Sequence, residues 1–66
     1  MNLSLNGELR EIPGIRTLPE LVEALGLPAG ALLIEHNGLA LLRGEWADRP
    51  LAEGDRIEFL RITAGG

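Results

Sequence analysis

Ala64-Gly65-Gly66 close the sequence directly behind an apolar segment, Ile57-Glu58-Phe59-Leu60-Arg61-Ile62, whose composition predicts a strand. Glycine has no Cβ, so a glycine pair takes backbone angles closed to other residues and can thread a channel too narrow for side chains. The expectation is that the reactive group is the terminal carboxylate itself, drawn through such a channel into the active site of a separate enzyme. A terminal run of small residues is otherwise a frayed end, so the tail gains meaning only from what lies around it.

The side chains leave few rival chemistries. Without cysteine the chain has no disulfide framework, no thiolate metal site and no cysteine nucleophile, and the single His36 has no second nitrogen or sulfur ligand with which to hold zinc. Six arginines and no lysine stand against ten acidic residues, a net charge of −4. That balance argues against a nucleic-acid surface and favours partners with basic docking faces. It also leaves no side-chain amine to attack an activated C-terminus on the same molecule.

At 66 residues the chain is one domain, small enough that every long element must add apolar surface to a single core. Hydrophobic residues make up 45%, yet no run approaches the ~20 apolar residues of a membrane helix, so a soluble protein without a membrane partner is expected. Glu8, Arg10 and Glu11 interrupt any signal-peptide pattern, and the cytoplasm is the expected location.

Three kinds of element must position the tail. Leu3 and Leu5 alternate with Asn2 and Ser4 and run into Asn6-Gly7, a hairpin signal with a returning strand over 8–12. A two-residue turn would pair Leu5 with Glu8, and a three-residue turn with a bulge would pair Leu5 with Leu9; the second is expected, because it matches apolar to apolar. Thr17-Leu18-Pro19-Glu20 fits a capping box with proline in the first turn. Leu18, Leu21, Val22 and Leu25 then form one apolar stripe, with Glu20 and Glu23 turned outward, until Gly26 and Pro28 stop the helix. Leu32-Leu33-Ile34-Glu35-His36 leads into Asn37-Gly38 and back along 39–42, a second hairpin, and Glu53-Gly54-Asp55 turns into the last strand. There Ile57 and Phe59 are expected in the core, with Glu58, Leu60 and Ile62 on the opposite face. Leu60 and Ile62 would then be a second buried face, incidentally exposed aliphatics of the ordinary kind, or a docking patch beside the tail. Trp46 is expected to be a packing residue, since so large an aromatic is a substantial fraction of so small a core.

Asn6-Gly7 after the first strand, Thr17-Leu18-x-Glu20-Leu21 opening the helix, Asn37-Gly38 followed by Arg43-x-x-Trp46, then Gly54-Asp55-x-Ile57 and the final Gly65-Gly66, together resemble the sulfur carrier (ThiS) family of thiamin biosynthesis. The resemblance covers essentially the whole chain. It departs at Leu42, where the family often has proline, at His36, where an aliphatic residue is favoured, and at Thr63-Ala64, where a bulkier aliphatic residue is common. The resemblance implies an α+β, β-grasp (ubiquitin-like) fold, one helix across a small mixed sheet in the order ββαβββ, with a domain over 1–62 and a flexible tail over 63–66.

It also implies a function. The family's carrier is not an enzyme: an adenylating enzyme of the ubiquitin-activating type (ThiF-like) uses ATP and magnesium to activate the terminal carboxylate, here that of Gly66. A persulfide donor then converts it to a thiocarboxylate, and a thiazole synthase (ThiG-like) accepts the sulfur. No cofactor or metal is expected on the carrier. Thr63, Ala64 and Gly65 would occupy the partner's channel, and Leu60 and Ile62 would dock. Two relatives of this reading remain open at the level of sequence, the small subunit of molybdopterin synthase and a ubiquitin-like modifier conjugated through Gly66.

Overall fold

A computed structural model describes residues 1–47 and 49–62. Five strands and one helix appear in the expected order: β1 (Asn2–Leu5), β2 (Glu8–Glu11), α1 (Leu18–Ala24), β3 (Leu32–His36), β4 (Leu39–Leu41) and β5 (Arg56–Arg61). Short 3-10 turns at Ala29–Ala31 and Arg43–Glu45 lead into β3 and out of β4. The sheet runs β2-β1-β5-β3-β4, with β1 and β5 parallel at its centre and the other pairs antiparallel. With α1 against one face, this is the β-grasp arrangement, and the tail-bearing strand is the one in the middle.

The two Asn-Gly pairs make both hairpins. Asn6 and Gly7 have φ of 50° and 81°, Asn37 and Gly38 of 50° and 85°. Two successive positive φ angles define the two-residue turn whose twist matches the strands, and glycine fits its second place at no steric cost. Leu5 therefore faces Glu8, and His36 faces Leu39. The first pairing corrects the expected bulge: Leu9 lies opposite Ser4 and is 75% exposed. All four residues of β2 are exposed, so this edge strand has no buried face to bind its pattern to the core.

The helix forms as its sequence dictates. Thr17 Oγ1 accepts from the Glu20 N–H, and Glu20 Oε1 accepts from the N–H groups of Thr17 and Arg16 at 3.0 and 2.8 Å. These bonds stabilise the carboxylate and hold the Glu20 pKa below its ordinary value. At the other end the Gly26 N–H donates to Glu23 O and the Leu27 N–H to Val22 O, the two bonds that close a helix with glycine just past its cap. Leu18, Leu21 and Val22 are buried against Leu3, Leu5, Ile34, Leu41 and Ile57 of the sheet. Leu25, at the C-cap, and Phe59 are half-buried and pack on the edge of that cluster. Trp46 is 1% exposed and the largest fully buried side chain, as its size predicts. The Arg43 guanidinium lies 4.5 Å from its ring centroid, a cation over a π face.

His36 is structural. Its Nε2 is 2.6 Å from Asp55 Oδ2, which also accepts from the Ala52 N–H, while Asp55 Oδ1 accepts from Asn37 Nδ2. This network ties the β3–β4 hairpin to the turn before β5. Burial pushes the Asp55 carboxyl up, but the bonds from His36, Ala52 and Asn37 outweigh it and leave the pKa lowered. A depressed folded pKa contributes stability that is fully present above the ordinary value of 3.8 and is lost as pH falls through the folded value. Asp55→Asn should therefore lower the stability at neutral pH by about 1–2 kcal/mol. Its melting temperature should also fall less steeply than wild type as pH drops into the acid range. Parallel acid melting curves for the two proteins would show the network to be irrelevant.

Candidate functional site: the outward face of the tail-bearing strand

Strand β5 alternates as its sequence predicts. Ile57 is fully buried and Phe59 half-buried under the helix, whereas Glu58, Leu60 and Ile62 turn to the outer face. Leu60 is 57% and Ile62 56% exposed, which removes the reading in which they form a second core. The Ile62 N–H donates to Ala31 O at 2.7 Å, so the chain is held in the sheet up to the residue before the tail. Thr63, Ala64, Gly65 and Gly66 lie outside the described residues.

Two neighbours that the sequence reading missed enlarge the patch. Leu33 stands directly opposite Leu60 in the antiparallel pair and is 37% exposed, so the two make a cross-strand contact on the outer face. Leu42 follows buried Leu41 with extended backbone angles, which carries its exposed side chain to the same outer side. The unbroken aliphatic run Leu32-Leu33-Ile34 hides the alternation; only the β3–β5 register separates Leu33 from its buried neighbours.

One step further from the tail, Glu35 and Glu58 face each other across the same two strands. Like charges directly opposite one another are unfavourable in the isolated sheet. The arrangement thus presents an apolar row bordered by paired carboxylates, which suits a partner with an apolar recess rimmed by basic groups. Among the described residues no cluster of three His, Cys, Asp or Glu could hold a metal, and no helix is long and apolar enough to cross a membrane. The outer face is thus an exposed apolar surface at the root of the tail.

The model of the ThiS family matches residues 3–66, from the first strand to the terminal glycine. The chain belongs to the ThiS family. Within the family it is 39% identical over 62 residues to the sulfur carrier protein ThiS of Thermus thermophilus, covering 94% of this chain and 95% of that one. The crystal structure of the thiamine biosynthesis protein ThiS from Geobacter metallireducens superposes with a TM-score of 0.86 at 33% identity, over the full length of both chains. The solution structure of a thiamine biosynthesis protein from the same organism gives 0.82 at 33% identity, covering all of this chain and 88% of that one. The β-grasp arrangement read from the strand order is thus the family's own.

Proposed function

We propose that this ThiS-family chain is a sulfur carrier whose Gly66 carboxylate is adenylated, converted to a thiocarboxylate and spent in building the thiazole of thiamin. The observation that carries the reading is the family match running through Gly66, together with exposed Leu60 and Ile62 at the root of the tail. A carboxylate is a poor acyl donor because its oxygen is a poor leaving group. Attack of that oxygen on the α-phosphorus of ATP, with loss of pyrophosphate, makes a mixed anhydride whose leaving group is AMP. The terminal sulfur of a persulfide then attacks the carbonyl and expels AMP, and a second thiol frees the thiocarboxylate by taking the remaining sulfur into a disulfide.

In this reading the carrier contributes no catalytic group and binds no cofactor. ATP and magnesium belong to the adenylating partner, in the cytoplasm, and a thiazole synthase consumes the sulfur. The carrier supplies a main-chain acyl group and a folded handle. The absence of cysteine is consistent with this, since the sulfur rides on the terminal carbonyl carbon.

Intact-mass analysis after incubation with the adenylating enzyme, ATP, magnesium and a persulfide source tests it. One oxygen-to-sulfur replacement is expected, located in the C-terminal peptide. Sulfur elsewhere, or an unchanged mass beside an enzyme shown to be active, overturns the assignment. Amide-linked conjugates to other proteins, stable to thiol and hydroxylamine, would point instead to a protein modifier.

A further inference from the structure

Strand β1 stops at Leu5 and reaches only Arg56 and Ile57 of β5. Beyond that point the chain turns away through Asn6-Gly7. Asn6 then closes two last bonds to β5: its N–H donates to Ile57 O at 2.9 Å and its Oδ1 accepts from the Phe59 N–H at 2.7 Å. In an antiparallel pair successive residues point their backbone groups to alternate sides. Arg56 O and the Ile62 N–H bond on the β3 side, so Phe59 O and the N–H and C=O of Arg61 point the other way. Among the described residues, the hydrogen bonds on that side end at the Phe59 N–H. The central strand of the sheet thus has an open edge over its last residues, immediately before the tail.

The edge lies in a slot. On the helix side is a hollow of about 380 Å³ walled by Leu5, Leu25, Leu27 and Phe59 with Glu8 and Arg10 at its β2 side, and on the outer side one of about 360 Å³ walled by Gly7, Glu58 and Leu60. The side chains of an added strand alternate between two faces. Each hollow has room for one, and the outer one adjoins the Leu60 patch. The two outermost edges of the sheet are unlike this one: β2 carries Glu8, Arg10 and Glu11, and β4 has three residues, both common ways of blunting an edge.

We infer that β5 accepts an extended segment of the adenylating enzyme as an added strand, with pairing that starts at the Arg61 N–H and Phe59 C=O. This deepens the proposed function and rests on it. A tail ending in two glycines has no side chains there to grip, so its partner must hold it through main-chain groups, and a strand laid along β5 supplies such groups from the start of the tail. Main-chain bonds give such recognition its affinity, and the alternating pockets give it specificity.

Hydrogen exchange at single-residue resolution, on the free carrier and on its complex with the adenylating enzyme, tests this. The Ile62 amide, already bonded to Ala31 O, should be protected in both, while the Arg61 amide should exchange freely alone and become protected in the complex. Arg61→Pro, which removes an N–H unused in the fold and also fixes φ at that position, should weaken binding about tenfold. Arg61→Ala should bind within about twofold of wild type. A wild-type carrier that is thiocarboxylated while its Arg61 amide stays unprotected in the complex overturns this inference and leaves the proposed function standing. A carrier that is never activated removes both. Arg61 protection that grows with carrier concentration alone would assign the slot to a second copy of this chain and overturn it too. Should Arg61→Pro fail to fold, the exchange comparison on the wild-type protein decides.

Discussion

Leu21→Asp should abolish the folded state. Leu21 is fully buried at the centre of the helix stripe, with Leu18 and Val22 beside it. Removing a buried leucine side chain costs about 2–5 kcal/mol through lost burial and the cavity left behind. The carboxylate adds the cost of a charge without a partner, because the described core contains no buried polar or charged residue to receive it. A 66-residue domain has a total stability of about 3–10 kcal/mol, so these terms together exceed or exhaust it. Far-ultraviolet circular dichroism and a melting curve check the outcome. Glu23→Ala, on the exposed side of the same helix, should melt within about 0.5 kcal/mol of wild type. A cooperative, wild-type-like transition for Leu21→Asp would mean that the helix presents a different face to the sheet.

That helix was the most legible part of the sequence, because its signals are local and redundant. The capping box from Thr17 to Glu20, the spacing of Leu18, Leu21 and Val22, and Gly26 all point to the same seven-residue element. The hairpins were legible in existence but not in register. Asn6-Gly7 announces a turn, yet whether Leu5 meets Glu8 or Leu9 depends on two backbone angles, and the match of apolar residues misled because β2 is an edge strand without a buried face. The outer patch shows the complementary gap. Alternation along β5 suffices to turn Leu60 and Ile62 outward, since Ile57 fixes the phase. Leu33 lies in a run of three aliphatics with no phase of its own, and it takes its place only from the partner strand. Phe59 shows that alternation gives direction without depth: it faces the core side, yet the early end of β1 leaves it half-buried at the lip of the slot.

Leu60→Glu should leave the fold intact and sharply reduce adenylation. Leu60 is 57% exposed, and a substitution at such a surface position usually changes stability by no more than about 0.5 kcal/mol. The new carboxylate would stand opposite Leu33 and two residues from Glu58, so a small further loss from like-charge repulsion is expected. On docking, however, the same side chain would be driven into the recess proposed to receive Leu33, Leu60 and Ile62. A central apolar anchor of an interface is worth about 2 kcal/mol or more, and replacing it by a charge adds desolvation, so binding should weaken at least about thirtyfold. Gly65→Val tests the tail separately: the fold should again be unchanged, while a β-branched side chain blocks a channel shaped for glycine. The two losses should differ in kind. Leu60→Glu weakens association, so raising the carrier concentration should recover part of the rate, whereas Gly65→Val should dock with near-normal affinity and remain unadenylated at any concentration. Measured against carrier concentration, the pair separates handle from tail. An unfolded Leu60→Glu would show that the outer face is needed by the fold itself, and normal adenylation of both variants would show that the adenylating enzyme reads neither feature.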